Sequence, residues 1–168
     1  MNEPQPRDQQ SASAKGVLYL LFRLRDQRFA LDVREVIEVL PQRVLKPIAH
    51  APVWVAGLLA HRGTLVPVLD LSALSFGEPA PQRTSTRLVL VSYRGATPLG
   101  LLLEQATNTL RCPPDAFQPY GLDNVDAPYL GPVLQDEQGL LQRIQVDDLL
   151  SDEVRALLFP SGPEQVPA

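Results

Sequence analysis

The sequence predicts an all-β fold, built from two related β units in tandem plus one C-terminal helix. Three observations predict it. Apolar runs are short, rich in Val and Leu, and broken by Pro, Gly or Asp about every ten residues, the mark of an all-β domain. The segment Gly57 to Leu71, GLLAHRGTLVPVLDL, returns blurred at Gly131 to Val146, GPVLQDEQGLLQRIQV. With a one-residue slip, Leu65, Val66, Leu69, Leu71 and Leu74 fall on Leu140, Leu141, Ile144, Val146 and Leu149, and Gly57 falls on Gly131. The front halves also rhyme: Phe29 to Leu40, FALDVREVIEVL, aligns with Leu99 to Leu110, LGLLLEQATNTL, at an offset of 70.

The elements follow from these runs. Strands are predicted at Val17–Leu24, Arg28–Val33, Val36–Leu40, Leu58–Ala60, Leu65–Leu71, Arg87–Tyr93, Leu99–Glu104, Thr107–Leu110, Leu130–Gln135 and Leu140–Val146. Many carry apolar residues on both faces, which suits a small barrel covered on its outside as well. Arg25-Asp26-Gln27 and Arg94 to Thr97 read as hairpin turns. Phe76 to Ser85 holds Gly77, Pro79 and Pro81 and reads as the crossover between units. Gly57, Gly63, Gly100 and Gly131 are expected at structural turns. Leu150, Val154, Leu157 and Leu158 recur at i, i+4, i+7 and i+8, a helical stripe. Asp147 or Ser151 is its candidate cap, Pro160 stops it, and its expected role is to cover a barrel end. Residues 1–16 and 160–168 are polar, contain proline, and read as disordered tails.

Composition excludes several function classes. Of 168 residues, 45% are hydrophobic, enough for a buried core. The formal net charge is -4, and Lys15 and Lys46 are the only lysines. That balance argues against a nucleic-acid surface or an anionic-membrane patch, both of which need clustered positive charge. The start lacks a signal peptide's basic and apolar regions. No apolar run reaches the roughly 18 residues of a membrane helix. One cysteine, Cys112, permits no internal disulfide and fits a reducing compartment. A cytoplasmic chain is expected.

Catalytic signatures are missing. The sequence has no GxxxxGK[ST], no GxGxxG after a strand, no HExxH and no GxSxG. His50 and His61 are the only histidines, so a zinc site of three or four ligands is barely supplied, and no metal or cofactor is expected. Cys112 precedes Pro113-Pro114 without a glycine-flanked elbow and reads as a structural thiol. Asp147-Asp148 reads as capping rather than as a catalytic carboxylate pair.

Surface candidates remain. The first repeat has His61 and Arg62 at its turn, where the second has Asp136, Glu137 and Gln138. Arg62 is either a solvated turn residue, with Gly63 supplying positive φ, or a guanidinium fork for a partner carboxylate. Val33, Val36, Ile37 and Leu40 form one candidate stripe that leaves Glu35 and Glu38 elsewhere. By pattern alone this is a core stripe with solvated acids. Trp54 fits a core residue or an interface anchor. Tyr120 and Tyr129 fall in a Pro/Asp-rich loop without the basic interleaving of a nucleic-acid platform.

Taken in order, the segments FRLRDQRFALDVREVIEVL, AHAPVWVAGLLAHRGTLVPVLDL, PLGLLLEQATNTL and YLGPVLQDEQGLLQRIQVDDLL resemble the CheW-like family of bacterial chemotaxis coupling proteins, from Val17 to Phe159. The resemblance implies two five-stranded, SH3-like barrels around a shared core, with barrel 1 at about 28–85 and barrel 2 at about 86–146. The strand at 17–24 and the helix at 147–159 would pack across them. It implies no enzymatic activity. It implies an adaptor that bridges a chemoreceptor's cytoplasmic tip and a histidine kinase's regulatory domain, in receptor arrays at the membrane where self-association is possible. The family's V-x-E-[IV] and R-G segments correspond to Val36, Glu38, Arg62 and Gly63. Val33 and Ile37 would help line the receptor groove.

The chain departs from the family pattern at three places. Ala60-His61 replaces Asn-Leu before Arg62-Gly63, and Glu104 replaces an aspartate. Gln142, Arg143 and Gln145 stand in a strand that is usually apolar. The departures point to a divergent array with a non-flagellar output such as surface sensing or pili. His61 beside Arg62 is a candidate source of pH-sensitive receptor affinity. The competing class, a ligand-binding or enzymatic small barrel, needs a concave polar pocket with perturbed titratable groups, for which the sequence offers few residues.

Overall fold

A 16-residue strand, Thr97–Cys112, ties the molecule together. The computed structural model describes residues 16–81, 83–119 and 126–160. In chain order the strands are β1 (Val17–Leu24), β2 (Gln27–Asp32), β3 (Val36–Pro41), β4 (Val55–His61), β5 (Thr64–Asp70), β6 (Thr86–Tyr93), β7 (Thr97–Cys112), β8 (Leu130–Asp136) and β9 (Gly139–Ile144). Helix α1 (Leu71–Phe76) follows β5, and α2 (Asp152–Leu158) ends the described chain. Short 3-10 turns occupy Val33–Glu35, Pro114–Ala116 and Val146–Asp148.

The strands form two five-stranded units. In the first, the order is β3-β6-β7-β5-β4, using the front half of β7. A bridge from Lys46 to Leu58 links the loop after β3 to β4. In the second, the back half of β7 leads to β1, β2, β9 and β8. A bridge from Gln118 to Val133 makes the matching closure. The two sequence repeats are therefore not the two spatial units. The β1–β2 hairpin of the first repeat sits with the end of the second, and β6 with the front of β7 sits with the end of the first. A division at residue 85 does not follow this pairing, because β2 bonds β9 and β6 bonds β3. Among the described residues the chain passes between units only at Val33–Glu35 and at Gln105, and Glu35 and Gln105 are 70 residues apart, the repeat offset.

The core explains the two-faced apolar strands. Leu88 and Leu90 on β6 fill the interior of the first unit with Leu40, Leu59, Val66, Val68 and Leu102. Their neighbours Val89 and Val91 face a shared core with Leu20, Phe22, Phe29, Leu31, Leu69, Leu101, Ile144 and Val146. Val17, Tyr19, Ala30, Phe117 and Leu141 fill the second unit. The repeat register holds in burial as well as in letters. Val66, Leu69 and Leu71 are buried like Leu141, Ile144 and Val146, while Leu65 and Leu140 are both exposed, at 66% and 61%.

Several elements differ from the sequence expectation. The two strands expected at Leu99–Glu104 and Thr107–Leu110 are one strand, bent where Gln105 adopts φ 52°. Leu71 opens a helix rather than closing a strand. Asp70 caps it by accepting from Ala73 N at 3.1 Å, and Gly77 ends it at φ 79°. Its six residues are too few to display a helical period. Of the four glycines expected at turns, only Gly63 lies in one. Gly57, Gly100 and Gly131 lie inside β4, β7 and β8. Gly57 is needed there, because a Cβ would lie 2.6 Å from the Lys46 carbonyl oxygen. Ser151 caps α2 by accepting from Val154 N, whereas Asp147 sits in a 3-10 turn and accepts from Arg94 N at 2.7 Å. Val154, Leu158 and Phe159 pack on the shared core, and Leu157 lies off that stripe and is exposed. The two expected tails, apart from Gly16 and Pro160, and Tyr120 lie outside the described residues.

Candidate partner-binding site

The β4–β5 hairpin brings Arg62 back to β3. His61 pairs with Thr64, leaving Arg62 and Gly63 as a two-residue loop with φ 52° and 80°. Two positive φ values give the primed turn that matches strand twist, and glycine takes the second at no steric cost. The turn points Arg62 at Glu38. One Glu38 oxygen, Oε1, lies 3.1 Å from His61 Nε2, and the other accepts from Arg62 Nη2 at 3.3 Å. Glu38 and His61 are half-buried, while the Arg62 side chain is 75% exposed. The guanidinium has five N–H donors and this carboxylate engages one of them, so a fork remains for an incoming carboxylate. An ion pair this exposed contributes about 0–1 kcal/mol to stability, so it is free to serve binding.

The apolar residues divide differently from the predicted stripe. Leu40 is buried, and Val33 and Val36 are half-buried on the margin of the shared core. Ile37 is 54% exposed. It occupies the bulge of β3, where Val36 pairs with Val91 and Glu38 with Leu90. A bulge adds one residue and turns its side chain outward. Val39 and Leu65 are also exposed. Val33, Val36, Ile37, Glu38, Arg62 and Gly63 thus fall on one crossing turn, one edge strand and one hairpin tip of the first unit. Trp54 is half-buried against the shared core, and its carbonyl accepts from Asp70 N at 2.8 Å.

The second hairpin uses its charge differently. Asp136 takes a two-point contact from Arg28 at 2.8 and 2.9 Å and also accepts from Gln138 N. The Arg28 hydrogen bonds hold its carboxyl below the usual range. Here the acid locks its own sheet, whereas the first tip keeps a cation facing out.

Two acids stand at the Val33–Glu35 crossing: Asp32, which the sequence reading does not single out, and Glu35, which it places among the solvated acids. Asp32 is buried and accepts from Arg34 N at 2.9 Å and from its guanidinium at 2.7 Å. Burial pushes its carboxyl up, and the Arg34 hydrogen bonds outweigh that and bring it below the usual range. Burial pushes the Glu35 carboxyl up, and its Oε1 has no partner among the described residues. The only signal in the sequence is the alternation of charge through LDVREVIE.

No group of three metal-ligating side chains occurs among the described residues. Burial pushes the Cys112 thiol up, away from a reactive thiolate. Glu104 lines an open groove with Arg25, Ser72, Glu78 and Arg83, of mixed charge. No helix among the described residues is long and apolar enough to cross a membrane.

Comparison with known proteins fixes the family. The CheW-like domain model matches residues 18–154. The chain belongs to the CheW-like family. This CheW-like chain is 25% identical over 138 residues to the chemotaxis protein CheW of Rhizobium meliloti (strain 1021), covering 81% of this chain and 88% of that one. It is 34% identical over 96 residues to FrzA of Myxococcus xanthus, covering 56% and 59%. To PilI of Pseudomonas aeruginosa it is 28% identical over 96 residues, covering 57% and 53%. A crystal structure of the scaffolding protein TtCheW from Thermoanaerobacter tengcongensis has the same fold, with TM-score 0.73 at 18% identity, covering 91% and 93%. CheW-like proteins are non-catalytic scaffolds with a tandem SH3-like β fold, and this chain shares that architecture.

Proposed function

We propose that the chain couples a chemoreceptor's cytoplasmic tip to the regulatory domain of a chemotaxis-type histidine kinase, within arrays at the membrane. The observation that carries this reading is the meeting of Glu38 with His61 and Arg62. Residues more than twenty positions apart, in the V-x-E-I and R-G segments, share one exposed ion-pair site beside the apolar Ile37 and Val36. A receptor helix tip offers the complement, an apolar stripe for Val33, Val36 and Ile37 and a carboxylate for Arg62. The kinase domain then meets other surfaces of the two units. Each contact is weak alone, and the array adds them through effective concentration. Signal passes only where the kinase's two states bind these surfaces differently.

Bridging is testable directly. Receptor-bearing membranes are mixed with kinase regulatory domain, with and without the chain. Retention of the kinase domain only when the chain is present supports the reading. Equal retention in both cases contradicts it.

A further inference from the structure

Arg143 is one of the residues that departs from an apolar strand pattern, and the fold gives it a place. It stands on β9, in the second unit. Its Nη2 lies 3.5 Å from Asp32 Oδ2, and its guanidinium carbon lies 5.8 Å above the Tyr19 ring. Asp32 is the last residue of β2 and the cap of the Val33–Glu35 turn. That turn is one of the two places where the chain crosses between units among the described residues, and its exit leads straight into Val36–Glu38.

We propose that Arg143 is a positioning residue for the candidate receptor site, holding the Val33–Glu35 crossing from the second unit through Asp32. The proposal rests on the receptor reading of Glu38 and Arg62. Its physical basis is charge compensation. Asp32 is 2% exposed. Its nearer cation, Arg34, has a 68% exposed side chain, whereas that of Arg143 is 21% exposed. Attraction is less screened for the buried partner, which makes the longer Arg143 contact count. Glu35 also needs it. Its Oε1 and the Arg143 Nε are both buried with no partner among the described residues, and Arg143 is the cation that acts most on this acid. Asp147 adds a third negative charge nearby, and Arg34 is the other cation. Without Arg143, the buried Asp32 and the half-buried Glu35 stand at the two ends of the crossing with one exposed cation, Arg34, between them. Repulsion then loosens the turn, and β3 loses its fixed angle to the second unit.

The test uses the full chain with Arg143→Met, of similar length and without charge. The fold survives, because Arg34 still pairs with Asp32. Amide hydrogen exchange at Arg34, whose N–H bonds Asp32, and at Val36, whose N–H bonds Val33 O, is expected to speed up about tenfold, as for a lost charged hydrogen bond. Affinity for a receptor tip is expected to fall by a similar factor. Arg143→Lys, which keeps the charge, is expected to restore most of both. Unchanged exchange in Arg143→Met overturns the proposal. So does faster exchange with unchanged affinity, when Arg62→Glu measured alongside abolishes binding. If Arg62→Glu leaves binding intact, the receptor reading itself has failed, and the positioning role falls with it while the exchange result stands as a statement about the fold.

Discussion

Glu38 carries its chemistry by position rather than by strength. Its contacts to Arg62 and His61 are partly exposed. Their loss changes what a partner meets more than how the chain folds. Asp32, Asp136 and Glu35 behave differently, because burial and hydrogen bonding shift their carboxyls and make stability depend on pH. Asp32 and Asp136 have lowered carboxyl pKa values, so they stabilise the fold above the unfolded value and lose that contribution as pH falls through the folded one. Glu35 is raised, so the folded chain binds its proton first and stability increases as pH falls through that raised value. Denaturant unfolding at stepped pH is expected to show a maximum above about pH 4, with an acid limb below it. Glu35→Gln is expected to flatten the upper limb and leave the acid limb in place. Alternation in the sequence marked Glu35 and Glu38 as off the apolar stripe. It did not show that Glu35 is half-buried, nor that Glu38 meets a hairpin 24 residues on, because that contact depends on the hairpin's fold-back.

At the scale of elements, the strands were legible because apolar runs and turn residues are local signals. Those that misled were cases where a local signal competes with a non-local one. Gln105 and Ala106 look like a break, yet β7 continues because its two halves pair with different neighbours. LSALSF looks like strand tail and loop, yet Asp70 caps it as a helix. Gly57 and Gly100 look like turn residues, yet both are sites of close approach. Their substitutions separate two kinds of crowding. At Gly57 an added Cβ meets a backbone carbonyl, at φ 146°. Gly57→Ala is expected to cost about 2–3 kcal/mol in denaturant unfolding. At Gly100 the added Cβ meets side-chain methyls of Val68 and Leu88, which can shift by a rotamer. Gly100→Ala is expected to cost about 1 kcal/mol.

For the whole molecule, the tandem was legible in spacing, and the paired exposure of Leu65 and Leu140 shows how faithful the repeat is. The exchange of opening hairpins was not legible, since nothing local tells β2 to seek β9 or β6 to seek β3. The exchange has a consequence for folding. Each unit draws strands from both halves of the chain, and the shared core joins them. Residues 1–85 alone and 86–168 alone are expected to show no cooperative thermal transition by circular dichroism, and a one-to-one mixture to recover one. A cooperative transition in either half alone would contradict the exchanged pairing. A body locked in this way suits an adaptor, because it holds the Glu38–Arg62 site and the surfaces of the second unit in fixed relation.

The measurement that bears most directly on this function is the affinity of a purified receptor tip for the wild-type chain and for Arg62→Glu, with thermal unfolding of both. The expected result is loss of receptor binding with an unchanged unfolding midpoint. Unimpaired binding by Arg62→Glu would contradict the site.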